Sequence, residues 1–187
     1  MLETKSIPKL AEQLLAEIWS NKGLKELTTE MRFLIDFLDY ANIEKIIVDI
    51  SKTENSKRQE ITEIMTEFNT NNVVLLNFIN YLLTKNLFDL FNANNFKLLF
   101  NEIKVASKKM KTIKLTLALE LKQEDILNVK ALIEKKFSEK FLLQIKLKPN
   151  LIAGYILEKD AQIIDASVET MLEDYRKEWV NKLNVSS

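Results

Sequence analysis

Residues Asn150 to Ser167 read NLIAGYILEKDAQIIDAS, and the fold of the C-terminal part turns on them. The run Leu151 to Leu157 has the character of a strand, the polar Glu158-Lys159-Asp160 interrupts it, and Gln162-Ile163-Ile164 resumes it, which is the pattern of a β-hairpin. Gly154 lies inside the first arm and is one of only two glycines in 187 residues. A glycine within a strand marks a bulge or a place where another part of the chain comes close. Here the approaching segment is expected to be Asp165-Ala166-Ser167, the turn into a last helix, where a Cβ on residue 154 would crowd. Ser167 is placed to cap that helix, and Glu169 and Glu173 sit near the positive end of its dipole.

Working back from the hairpin, Phe141, Leu143, Ile145 and Leu147 alternate with polar residues as in a half-buried strand. Before them, Ile126, Val129, Leu132, Ile133 and Phe137 give one side of a helix over Glu124 to Phe137. Ile113, Leu115, Leu117, Leu119 and Leu121 give a further strand with period two. Ser107-Lys108-Lys109-Met110-Lys111 forms a short polar link. Upstream of it the period becomes helical: Ile7, Ala11, Leu14 and Ile18 recur at steps of three and four, with Leu10, Leu15 and Trp19 widening the stripe. Gly23 suits the position just past the end of that first helix. Further helices are expected over Leu24–Tyr40, Ile43–Ile50 and Arg58–Phe68, the last introduced by a Ser56-x-x-Gln59 capping box. Val73–Leu83 follows the loop 69–72, and a final helix covers about Leu87 to Val105, with Asn92-Ala93-Asn94-Asn95 as a poor interior. The fold class is therefore α+β: a helical bundle over residues 1–106, a link at 107–111, and a small α/β unit over 112–187.

Composition removes whole classes of function. The 27 basic and 27 acidic residues balance, which argues against a general nucleic-acid binder, since that affinity comes from excess Lys and Arg neutralising phosphates. Histidine and cysteine are absent. Thiolate nucleophiles, disulfides, Cys/His zinc sites and imidazole bases are thus excluded. Two isolated glycines cannot spell a phosphate-binding loop. Acidic pairs such as Glu173-Asp174 fall on predicted helix starts or solvent faces, no paired catalytic carboxylate site is found, and no cofactor or metal is implied. No apolar run is long enough to span a bilayer, and the start MLETKSIPKL lacks a leader pattern; a cytoplasmic protein without direct membrane insertion is expected. A nucleic-acid-binding α+β adaptor using the Lys-rich link would be marked by affinity falling steeply with salt.

The helix at VVLLNFINYLL carries the most information. Leu75, Phe78, Ile79 and Leu82 share one side, while Val74 and Tyr81 lie on the flank, so the helix is apolar over most of its girth and must be covered on more than one side. It is either the centre of the bundle or one wall of a groove for another protein's amphipathic helix.

Taken together, these residues resemble the delta subunit of bacterial F-type ATP synthase, the family of the mitochondrial oligomycin-sensitivity-conferring protein. Leu151-Ile152-Ala153-Gly154-Tyr155-Ile156 is similar to the family's L-I-G-G-F/Y segment, and Ile163-Ile164-Asp165-Ala166-Ser167-Val168 to its V-I-D-G-S-V signature, in the same order and spacing. The resemblance implies a six-helix N-terminal bundle, a smaller C-terminal α/β domain with a mixed sheet, and a non-catalytic stator role between the catalytic head and the peripheral stalk, on the cytoplasmic face of the membrane. It implies a groove between the first and fifth helices for an N-terminal helix of a head alpha subunit, lined here by Leu10, Gln13, Val74 and Tyr81. It implies also that the C-terminal part meets a b-type stalk subunit. Where the family continues with a basic V-R-G-R-L-E-R-L, this chain has Val168-Glu169-Thr170-Met171-Leu172-Glu173-Asp174-Tyr175. The charge is reversed, and Leu172, Tyr175, Trp179 and Leu183 make a stripe that is either core or a partner surface. A changed partner at this end is expected, either a divergent stalk subunit or that of a paralogous rotary ATPase.

Overall fold

The structure, a computed structural model, describes residues 6–185. The chain divides into two compact units between Lys109 and Met110. The first contains six α-helices: α1 Ser6–Ala16, α2 Asn21–Ala41, α3 Glu44–Val48, α4 Glu54–Glu67, α5 Val73–Thr84 and α6 Ala93–Lys108. α6 packs against both α1 and α2. Leu27, Met31 and Leu34 of α2, Ile61 of α4, Leu75 and Leu82 of α5 and Phe96 and Ile103 of α6 are buried between them. Phe78 and Phe96 meet edge to face, with ring centres 6.4 Å apart and planes at 78°, an arrangement the ring quadrupoles favour.

The helix starts differ from those expected, for one recurring reason: the capping side chain lies upstream of the first apolar residue. Gly23 does not follow a helix; it lies in the first turn of α2, where its amide donates to the Ser20 hydroxyl at 3.1 Å. Thr53, not Ser56, caps α4, its hydroxyl accepting from the Ser56 amide at 3.3 Å. The asparagine run is a cap rather than a helix interior. Phe88–Leu90 forms a single 3-10 turn, and the Asn92 carboxamide then accepts from the Asn95 amide at 2.8 Å to open α6. Asn favours these positions because its short side chain can take up an orphan amide.

The second unit contains β1 Lys111–Leu117, α7 Gln123–Phe137, β2 Phe141–Leu147, β3 Tyr155–Lys159, β4 Gln162–Asp165 and α8 Val168–Val185. The four strands form a mixed sheet in the order β2-β1-β3-β4. β1 and β2 are parallel, joined through α7, and the β3/β4 hairpin adds antiparallel neighbours. Ile113, Leu115, Phe141, Leu143 and Leu157 form its core. β1 ends at Leu117, earlier than the alternation suggested, because Leu117 pairs with Leu147 on one side and Tyr155 on the other, the terminal residues of both partner ladders. Leu119 is accordingly exposed.

Two further expectations are corrected. Residues 151–154 are not strand: Pro149–Leu151 makes a 3-10 turn and Ile152 takes φ 65° and ψ −58°, so β3 begins only at Tyr155. On α7, Leu132 faces solvent, and Ile126 is joined in burial by Lys130, 2% exposed. The Lys130 ammonium lies 3.3 Å from a Glu134 oxygen, and the other Glu134 oxygen accepts from Lys140 at 2.8 Å. Burial pushes the Glu134 carboxyl up, but the hydrogen bonds from Lys140 and the Phe141 amide, with the Lys130 and Lys140 charges, outweigh it and hold it below the usual carboxylate range.

Candidate functional site

α1 and α5 flank an open groove of about 410 Å³. α1 turns Leu10, Ala11 and Leu14 toward the bundle, and Ile18 is buried just past its end, which leaves Gln13 and Ala16 on the adjoining face and Glu17 in the turn that follows. α5 buries Leu75, Phe78, Ile79 and Leu82. Its Val74, Asn77 and Tyr81, at steps of three and four, make the facing wall. The floor is apolar, from Leu14 and Phe78, and the rim is polar, from Gln13, Glu17 and Asn77.

Of the four residues implied for this groove, the structure brings Gln13, Val74 and Tyr81 together on it. Leu10 is not on it. It is buried one turn earlier, against Phe78, Leu82, Leu90 and Phe96, around a separate gap of only about 10 Å³. Leu10 therefore lies behind the wall, off the groove surface. Ala16, Glu17 and Asn77 were missed, although Ala16 and Glu17 lie three and four residues beyond Gln13, and Asn77 lies between Val74 and Tyr81 on the same helical stripe.

In the second unit, Leu172, Tyr175 and Trp179 are all exposed, Trp179 by 68%, with Met171 beside them. The stripe is surface and not core. Leu183, its fourth member, has its side chain outside the described residues. The first turn of α8 is acidic, and Glu169 pairs with Lys148 at 3.0 Å.

Gly154 has φ +87°, and a Cβ there would lie 2.1 Å from the Ala166 carbonyl oxygen and 2.9 Å from Ser167 Cα. The two segments are stitched by main-chain bonds: Val168 N donates to Ala153 O at 3.0 Å and Ala166 N to Tyr155 O at 2.9 Å. Neither Ala153 nor Ala166 has a positive φ, so alanine serves where the family motif has glycine. Ser167, 1% exposed, accepts from the Thr170 amide with its hydroxyl at 3.3 Å. Asp165 accepts from the Ser167 amide at 2.9 Å and the Thr170 hydroxyl at 2.7 Å. The Ser167 side chain foremost, then those bonds and the Lys148 charge, hold its carboxyl below the usual range.

The described residues thus present an apolar-floored groove on a helical bundle and an exposed aromatic stripe along a helix of a second unit. Comparison with known proteins gives the family. The profile described as "ATP synthase delta (OSCP) subunit" matches residues 13–178. ATP synthase subunit delta of Prochlorococcus marinus (strain AS9601) is 28% identical over 168 residues, covering 87% of this chain and 89% of the relative. The chloroplastic ATP synthase subunit delta of Cyanidium caldarium is 23% identical over 184 residues, 96% of each chain. That of Streptococcus pyogenes serotype M4 (strain MGAS10750) is 24% identical over 171 residues, covering 91% and 93%. The chain belongs to the ATP synthase delta (OSCP) subunit family, the non-catalytic peripheral-stalk subunits of F-type ATP synthase. Among the described residues no helix is long and apolar enough to cross a membrane.

Proposed function

We propose that this chain is the stator link that ties the catalytic head of a rotary ATP synthase to its b-type stalk on the cytoplasmic face of the membrane, in support of proton-driven ATP synthesis. The α1/α5 groove receives the N-terminal helix of a head alpha subunit, and α8 meets the stalk. The observation that carries this is the groove itself: two helices held apart over an apolar floor, with a polar rim, which is the shape and chemistry that receives the apolar face of an amphipathic helix. The acidic first half of α8, with Glu169, Glu173 and Asp174, suits a stalk partner that presents basic residues. Two separated grips raise the overall affinity through effective concentration, which a tether that resists rotor torque requires.

The test is calorimetric titration of the full chain with a synthetic peptide of the alpha subunit's N-terminal helix from the same organism. One-to-one binding is expected, weakened at least tenfold by Val74→Asp, a half-buried wall position whose change leaves the core intact. Binding no tighter than that of a scrambled peptide would overturn the assignment.

A further inference from the structure

The α1/α5 groove leaves a second apolar feature of the bundle unexplained. On α2, Phe33, Phe37 and Tyr40 follow one another at steps of four and three and so form a single row along one face. Seven residues of helix make that row about 10 Å long. Phe33 is 60% and Tyr40 89% exposed. Phe37 is half-buried, with its ring centre 5.4 Å from that of Phe68 at the end of α4, which fixes the middle of the row. Large aromatic side chains left in water in a row, with one anchored from below, are an interaction surface in wait of a cover.

The surrounding charges say what the cover is. Asp36 flanks the row on one side and Glu30 on the other, and Glu67 adjoins Phe68 in sequence. None of these three carboxylates has an ion-pair partner among the described residues. The nearest cation on α2 is turned away from them, because the Arg32 guanidinium lies over the Phe100 ring, 5.6 Å from its centre. A second copy of this chain docked through the same face in a two-fold contact would set acid against acid. An anionic lipid surface would be repelled in the same way.

We propose that the α2 row Phe33-Phe37-Tyr40 is a second docking surface on the helical unit, distinct from the α1/α5 groove, and that it takes a basic amphipathic helix whose apolar ridge lies along the aromatics and whose Lys or Arg residues meet Glu30, Asp36 and Glu67. The surface is narrow, so the contact is weak alone and sensitive to salt.

The absence of cysteine and the exposure of Phe33 and Tyr40 make the test direct. The probe is a fluorescent fourteen-residue helical peptide of Leu and Lys, with a Leu/Glu peptide of the same apolar pattern as control. The Leu/Lys peptide is expected to bind the full chain, with a Kd raised at least tenfold by Phe33→Ser with Tyr40→Ser and changed less than threefold by Val74→Asp in the groove; the Leu/Glu peptide is expected not to bind. In the assembled ATP synthase, a benzoylphenylalanine photo-crosslinker at position 33 is expected to join a net-basic segment of another subunit. Equal binding to the double variant, equal binding of the acidic peptide, no binding of the basic one, or a crosslink only to another copy of this chain or to nothing would each overturn the proposal. The groove assignment is tested separately, since it predicts loss with Val74→Asp alone.

Discussion

The chain's two glycines allow one sharp comparison. At Gly154 the backbone is at φ +87° and a Cβ would meet the Ala166 carbonyl oxygen at 2.1 Å, a main-chain atom that cannot swing aside. A non-glycine residue in such a conformation costs about 1–3 kcal/mol. Relief of the overlap requires the hairpin and the turn before α8 to part, which breaks the Val168–Ala153 and Ala166–Tyr155 bonds, each worth about 0.5–1.5 kcal/mol. Gly154→Ala should thus cost about 2–6 kcal/mol. For a unit of this size that is a melting temperature lower by about 8 °C at the least. At Gly23 the backbone is helical, and an added Cβ meets Ser20 Oγ at 3.4 Å, Ile18 Cγ2 at 3.7 Å and Ile18 Cδ1 at 4.0 Å, ordinary contacts. Gly23→Ala should therefore stabilise by about 0.5–1 kcal/mol. Differential scanning calorimetry of the full chain and the two variants reads both shifts. A Gly154→Ala protein that melts with the parent would show that the close approach to Ala166 and Ser167 is not a constraint on the fold.

Leu10→Ala should cost about 2–5 kcal/mol as a core truncation and leave alpha-peptide affinity within threefold, whereas Tyr81→Ala should do the reverse; peptide titration and thermal melts on the same samples separate them. Glu134→Ala removes the carboxylate from the buried Lys130 ammonium and should cost about 3 kcal/mol, measured by urea unfolding. Because the Glu134 and Asp165 carboxyls are both held below their ordinary values, each contributes stability that is complete above the unfolded-state pKa, about 4, and is lost as pH falls through the lower folded value. Glu134→Gln should flatten part of that acid limb, and an unchanged slope would contradict the linkage. Trp179→Ala should alter stability by under about 0.5 kcal/mol, as for an exposed residue, yet weaken stalk-peptide binding; undiminished affinity in a chain cut before Tyr175 would remove α8 as the stalk grip.

Where the sequence speaks clearly, one interaction dominates. The alternation of Phe141, Leu143 and Ile145 marks β2 because their side chains share one face of the sheet, with Phe141 and Leu143 in the core, and Gly154 announces a tight approach because only a residue without Cβ fits it. Where it misleads, two local signals compete. Ser56 spells a capping box, but Thr53 caps first. Leu119 and Leu121 continue the alternation of β1, but the partner strands have run out. The groove shows both cases. Val74 and Tyr81 stand out because the α5 wheel is crowded with apolar residues. Leu10 and Gln13 are neighbours on the α1 stripe, and only the packing of Leu82, Leu90 and Phe96 over Leu10 takes it off the surface. Lys130 is illegible in the sequence as a core position, since its i,i+4 spacing from Glu134 spells an ordinary surface pair.

The seam between the hairpin and α8 has a mechanical consequence. Tension drawn along α8 enters the sheet through peptide groups, Val168 to Ala153 and Ala166 to Tyr155, and β3 spreads it at once to strands on both sides. A joint made of peptide groups keeps its strength while the side chains around it drift, provided that residue 154 stays bare. The outer face of α8 is then free to change charge without loosening that seam.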